Sequence, residues 1–135
     1  MARYLADKSA LARIHIPSVE ERLRPLIEAG EVATCAIVDL ELLYSARSLN
    51  DYEQLLDERR GLPTVELAQE TFDDAVQIQH RLARAGRHRL PIPDLIIAAA
   101  ARSADLRVMH YDADFERIAA AVELNHEWVV PVGSV

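Results

Sequence analysis

The stretch Leu95-Ile96-Ile97-Ala98-Ala99-Ala100-Ala101 is apolar on every side. A helix with no polar face has to be covered all round, so this segment belongs in the middle of the fold, entered through Pro91-Ile92-Pro93-Asp94. No apolar run in the chain reaches the roughly 20 residues that a membrane span needs. The cover must therefore come from other parts of the same protein. At 135 residues the chain has material for one such core and no second, which gives a single domain over 1–135.

The segments around this helix alternate. Arg3 to Ala6 reads as a short strand, with Asp7-Lys8-Ser9 as a strand-to-helix turn and a short helix over Ser9 to Ile14. Pro17 opens a helix toward Gly30 with Val19, Leu23, Leu26 and Ile27 on one side, and Pro25 within it implies a kink or a late start. Glu31 to Thr34 is a second strand, with Thr34 placed to cap a mostly apolar helix from Cys35 to about Ala46. A polar helix from about Asn50 to Arg60 stops at Gly61 and Pro63, and Pro63 to Val65 is an edge strand. From Gln69 to Ala85, Phe72, Val76, Gln79, Leu82 and Ala83 recur at helical spacing, with Gly86 as the stop. After the buried helix come a strand over Leu106 to Tyr111, a short helix opened by Asp112-Ala113-Asp114, and a last strand over Glu127 to Val130. Strands alternating with helices predict an α/β fold on a mainly parallel sheet, with helix outweighing strand.

In such sheets, sites form where the carboxyl ends of strands meet the next loops and helix starts. Asp7 and Asp112 each directly follow a strand, and Asp94 begins the buried helix. Taken singly, each is explained by capping of a helix start, as is Asp114. Capping does not explain Glu41, in the middle of Ala36-Ile37-Val38-Asp39-Leu40-Glu41-Leu42-Leu43-Tyr44, with Ile37, Val38 and Tyr44 as its helical neighbours. A carboxylate there is expected to change protonation or to find a cation or an arginine partner. Asp39 lies about 200° round the helical wheel from Glu41 and is expected to face solvent or cap. Together Asp7, Glu41, Asp94 and Asp112 make an oxygen-rich set suited to Mg²⁺ or Mn²⁺. Zinc would call for histidine or cysteine groupings, and Cys35, the only cysteine, sits among Ala36, Ile37 and Val38 as a small hydrophobe.

Four segments carry a family resemblance: Tyr4-Leu5-Ala6-Asp7-Lys8-Ser9, Asp39-Leu40-Glu41-Leu42-Leu43-Tyr44-Ser45-Ala46, Pro91-Ile92-Pro93-Asp94-Leu95-Ile96-Ile97-Ala98-Ala99, and His110-Tyr111-Asp112-Ala113-Asp114-Phe115. In this order and spacing the chain resembles, over essentially its whole length, VapC-type toxins of the PIN-domain ribonuclease family. The resemblance implies a three-layer α/β/α sandwich, an acidic pocket, Mg²⁺- or Mn²⁺-dependent endoribonuclease activity, homodimers, and inhibition by a VapB-like antitoxin. It places Asp7, Glu41, Asp94 and Asp112 at the acidic positions, with Asp7 and Asp94 as direct metal ligands and Asp114 as an auxiliary. Ser9 would either orient Asp7 or serve the helix start, and His110 would be either a hydrogen-bond donor behind the acids or a structural residue at the strand end. Lys8 departs from a position that is commonly threonine in the family, and its expected direction is solvent. His110 departs from one where a small hydroxyl residue is common.

The net charge of −7 opposes any broad attraction to nucleic acid. The densest basic stretch, His80 to Arg89, leads toward Asp94. Arg81, Arg84, Arg87 and Arg89 are RNA-contact candidates there, against the alternative of a solvated helix end whose cations favour its C-terminus. The N-terminus reaches Asp7 too soon for a secretory core, so a cytoplasmic protein is expected. Two other readings compete: a phosphoacceptor signalling domain, which needs adjacent acids after the first strand and a late lysine, and a catalytically silent PIN module used for binding. Lys8 is the only lysine, and all four acids are present.

Overall fold

The computed structural model describes residues 1–135. Strand β1 (Tyr4–Ala6) leads through α1 (Lys8–Leu11) and α2 (Pro17–Glu28) to β2 (Val32–Cys35). Next come α3 (Ala36–Tyr44), α4 (Leu49–Arg59), β3 (Thr64–Val65), α5 (Gln69–Arg84) and α6 (Ile92–Ala104), followed by β4 (Arg107–His110), α7 (Asp114–Ala121) and β5 (His126–Trp128). The five strands pair in the order β3-β2-β1-β4-β5, all parallel. Tyr4 sits opposite Val32 on one side and Arg107 on the other.

Strand alternation divides the interior into two cores. Leu5 and Val108 face one way, into a core with Val38 of α3, Ile78 and Leu82 of α5, Phe115 and Ile118 of α7, and all of Leu95 to Ala101. Tyr4 and Met109 face the other way, against Ala10 of α1, Val19 and Leu23 of α2, and Val129 and Val130. Helices thus cover both faces of the sheet, giving the three-layer α/β/α sandwich. The alanine run of α6 is buried without exception, as an all-apolar helix requires.

Three local expectations change. Pro25 neither ends nor delays α2, which runs from Pro17 to Glu28; Pro25 and Glu21 are both exposed, so the carbonyl left without its helical donor can take water. Thr34 does not cap α3: Cys35 occupies that position without a side-chain bond, and Thr34 Oγ1 instead donates to Asp39 Oδ1 at 2.6 Å. The buried stripe of α5 is Thr71, Ala75, Ile78 and Leu82, while Phe72 and Val76 are 39% and 64% exposed. Helix α5 packs on the alanine-rich α6, and it turns its stripe of Ile78 and Leu82 with the small Ala75 to that neighbour's core.

Candidate metal centre

Each acid is placed by the end of an element. Asp7 leaves β1 and caps α1, its Oδ2 accepting the Ser9 amide at 3.0 Å. It is buried, and its Oδ1 has no partner. Asp112 follows β4, and its Oδ1 accepts the Asp114 amide at 2.9 Å. Asp94 lies in the first turn of α6, 6% exposed, with Oδ2 unpartnered. Glu41, on α3, has Lys8 Nζ 3.7 Å from Oε2 and an unpartnered, buried Oε1. Carboxylate oxygens of Asp94, Asp112 and Asp114 all lie within 4.8 Å of one another.

The electrostatics report the same convergence. The Asp94 carboxyl is pushed up to about 8, first by burial and then by the like charges of Asp7, Asp112, Asp114 and Glu41. Burial likewise raises Asp7, with Asp112 adding to it and Ser9 partly offsetting it. Glu41 is raised by burial, opposed by the Lys8 ammonium. A buried acid with no hydrogen-bond donor is costly unless it stays protonated or meets a cation. Three orphaned carboxylate oxygens beside a tight carboxylate triad, with no thiolate and no free imidazole, form a donor set for a hard divalent ion.

A PIN domain model matches residues 4–121. The chain belongs to the PIN domain family. It is 49% identical over 134 residues to Ribonuclease VapC21 of Mycobacterium tuberculosis, covering 98% of this chain and 97% of that one. It is 40% identical over 135 residues to Ribonuclease VapC18 of the same organism, covering 98% of each. Its fold resembles the DNA-bound VapBC structure from Salmonella typhimurium at a TM-score of 0.80 and 22% identity, covering 96% of this chain and 100% of that one. It also resembles VapBC2 from Rickettsia felis at 0.78 and 19%, covering 93% and 97%.

Around this PIN-family site several expectations are refined. Ser9 orients Asp7 through its backbone amide, while its hydroxyl accepts the Tyr111 amide at 2.8 Å and ties α1 to the end of β4. His110 is fully buried; its Nδ1 accepts the Asp112 amide at 3.1 Å, which leaves Nε2 to donate to His126 Nδ1 at 2.9 Å. Burial, and next the neighbouring His126, hold it down at about 4, so it is a neutral strut for Asp112. Lys8 does not simply point to solvent: it is half-exposed and paired with Glu41. Asp39 is buried, bonded to Thr34 and ion-paired with Arg59 of α4. The helical wheel put it opposite Glu41, but could not show that α4 covers that side.

Arg81, Arg84, Arg87 and Arg89 are all exposed. Arg87 and Arg89 line a cleft of about 350 Å³ with Leu90 and Arg117. Sequence reasoning missed Arg117, whose Nη1 donates to Asp114 Oδ1 at 2.6 Å; its place three residues after an acid at a helix start was the available signal. A second groove, about 400 Å³, runs beside Glu41 and is lined by Lys8, Ile37, Leu40, Tyr44 and Pro93.

Proposed function

We propose that this PIN domain is the toxin of a type II toxin-antitoxin pair, an endoribonuclease that uses Mg²⁺ or Mn²⁺ to hydrolyse RNA phosphodiester bonds. One observation carries the reading: Asp7 Oδ1, Glu41 Oε1 and Asp94 Oδ2 are buried without a partner, next to the Asp94, Asp112 and Asp114 triad. Asp94, Asp112 and Asp7 are the residues that would hold the ion, with Asp114 and Glu41 contributing at its edges. A bound divalent ion supplies a water of lowered pKa and offsets charge on a phosphodiester undergoing in-line displacement. The protein's own residues prepare that site. Ser9 and His110 hold Asp7 and Asp112 by main-chain hydrogen bonds, and Lys8 balances Glu41.

The relatives named Ribonuclease VapC support RNA as substrate. Structural neighbours solved as VapBC complexes support a VapB-like antitoxin as partner; an arginine from such a partner would pair with the acids and compete with the ion. A homodimer and a cytoplasmic location belong to the same reading. The phosphoacceptor alternative lacks its late lysine, since Lys8 is the only one and is engaged by Glu41.

The test compares RNA cleavage by the native chain and Asp94→Asn with Mg²⁺ or Mn²⁺, alongside direct Mn²⁺ titration by electron paramagnetic resonance. The substitution keeps the shape and removes the charge. Cleavage should drop by about 100-fold or more, on the scale of other groups that stabilise developing charge, and Mn²⁺ affinity should fall with it. Equal cleavage by both proteins would remove the mechanism.

A further inference from the structure

We infer that Arg87, Arg89 and Arg117 form a phosphate-binding cleft that seats the backbone of single-stranded RNA beside the acid site. This rests on the nuclease reading for the identity of the strand, while the cleft itself rests on its own geometry. Three of the four lining residues are arginines and none is an acid. In a chain of net charge −7 that is an exception. Arg117 is one of eight arginines with a carboxylate partner, whereas Arg87 and Arg89 have none. Arg87 and Arg89, gathered beside Arg117 with no counter-charge of their own, repel one another, and an external anion relieves that repulsion. Their planar forks match phosphate oxygens.

Position gives the cleft its role. On one side Arg117 donates to Asp114, itself within 4.8 Å of Asp94 and Asp112. On the other side Arg89 and Leu90 run straight into Pro91 and the first turn of α6, which carries Asp94. A phosphate held between these walls therefore lies next to the triad, and Arg117 joins the two. The turn presenting Arg87 is anchored rather than free: Gly86 takes a φ of +71°, and the Arg87 amide donates to the Leu82 carbonyl at 2.8 Å. Leu90, half-buried at the cleft, offers an apolar contact to a sugar or base. A cleft of about 350 Å³ has room for a backbone phosphate and its sugar. Arg81 and Arg84 lie on α5 outside it.

The experiment measures binding of a fluorescein-labelled single-stranded oligoribonucleotide by anisotropy across a salt series, in the Asp94→Asn background with Mg²⁺ present. Arg87→Gln with Arg89→Gln should weaken binding about 10-fold and lower the salt slope by about 1.4, since each single-strand phosphate contact contributes about 0.7. Lysine at both positions should restore the slope, which also shows that loss in the glutamine variant is not misfolding. A charge-matched control, Arg24→Gln with Arg60→Gln on distant exposed surfaces, should change neither quantity. In the native background the glutamine pair should raise KM with little change in kcat. Affinity that falls no more than in the control overturns the cleft, even where the native chain cleaves RNA. Affinity that falls as expected while the native chain cleaves nothing upholds the cleft and sinks the nuclease reading instead.

Discussion

Asp94 is the residue on which the site's chemistry turns. Its carboxyl is pushed up to about 8, first by burial and then by four neighbouring acids. In the metal-free protein the folded state therefore keeps a proton that the unfolded chain releases in the ordinary carboxylate range. Between that range and about pH 8 the folded state binds more protons, so stability falls as pH rises. Above the ordinary histidine value, where Asp94 alone of these two groups still titrates, thermal melts of the metal-free protein should show a lower Tm at pH 8 than at about pH 6.5, and Asp94→Asn should flatten that slope. Parallel slopes in the two proteins would show that Asp94 is not the proton carrier. By the same linkage, Mn²⁺ binding near pH 7 should release protons, measurable as a calorimetric heat that varies with the buffer's ionisation enthalpy. His110, held at about 4 from an ordinary value of 6.5, acts in the opposite sense: the unfolded chain protonates it first, so between those values it adds stability as pH rises. Asp94→Asn keeps His110 in place, so the comparison of the two proteins isolates the Asp94 slope.

At the scale of elements, α3 carries two acids with opposite fates. Glu41 faces the acid cluster of Asp7, Asp94 and Asp112, while Asp39 turns into a buried join with Thr34 of β2 and Arg59 of α4. That join fixes α4 to α3 and so sets the wall from which Glu41 projects. Replacing Arg59 by Met leaves Asp39 buried with Thr34 as its remaining side-chain partner. The expected loss is about 3 kcal/mol, typical of removing one member of a buried ion pair, read from the urea midpoint. Adding Asp39→Asn should recover part of it. If Arg59→Met shifts the midpoint no more than an exposed pair would, the join is not what holds α4.

For the molecule as a whole, net charge and local chemistry pull in opposite directions. A chain of −7 with an acidic centre repels a polyanion; near the site the arginine cleft, and Lys8 beside Glu41, offset this. Divalent ions reverse the local sign. RNA affinity of Asp94→Asn should therefore be lower than that of the native chain when Mn²⁺ is present at fixed ionic strength, and the two should converge when it is chelated. An affinity indifferent to the ion in both proteins would break the link between the acids and RNA. The surface also leaves apolar side chains exposed in two places, Leu40 and Tyr44 beside Glu41, and Phe72 and Val76 on α5. Exposed apolar patches of this kind suit contacts with other proteins.

Local pattern was enough for much of this. The buried α6, the parallel α/β layout, and Asp7, Asp94 and Asp112 at strand ends and helix starts were all legible, because hydrophobic periodicity and punctuation act over a few residues. Pairings between elements were not. Asp39 went inward because Arg59 arrives from twenty residues later. The face of α5 was decided by the alanines it meets on α6, the partner of Glu41 by where α1 lies against α3, and the surroundings of Arg117 by the segment that leads into α6. Sequence periodicity says which residues share a face. Which face is covered, and by whose charge, depends on how the crossovers bring distant segments together.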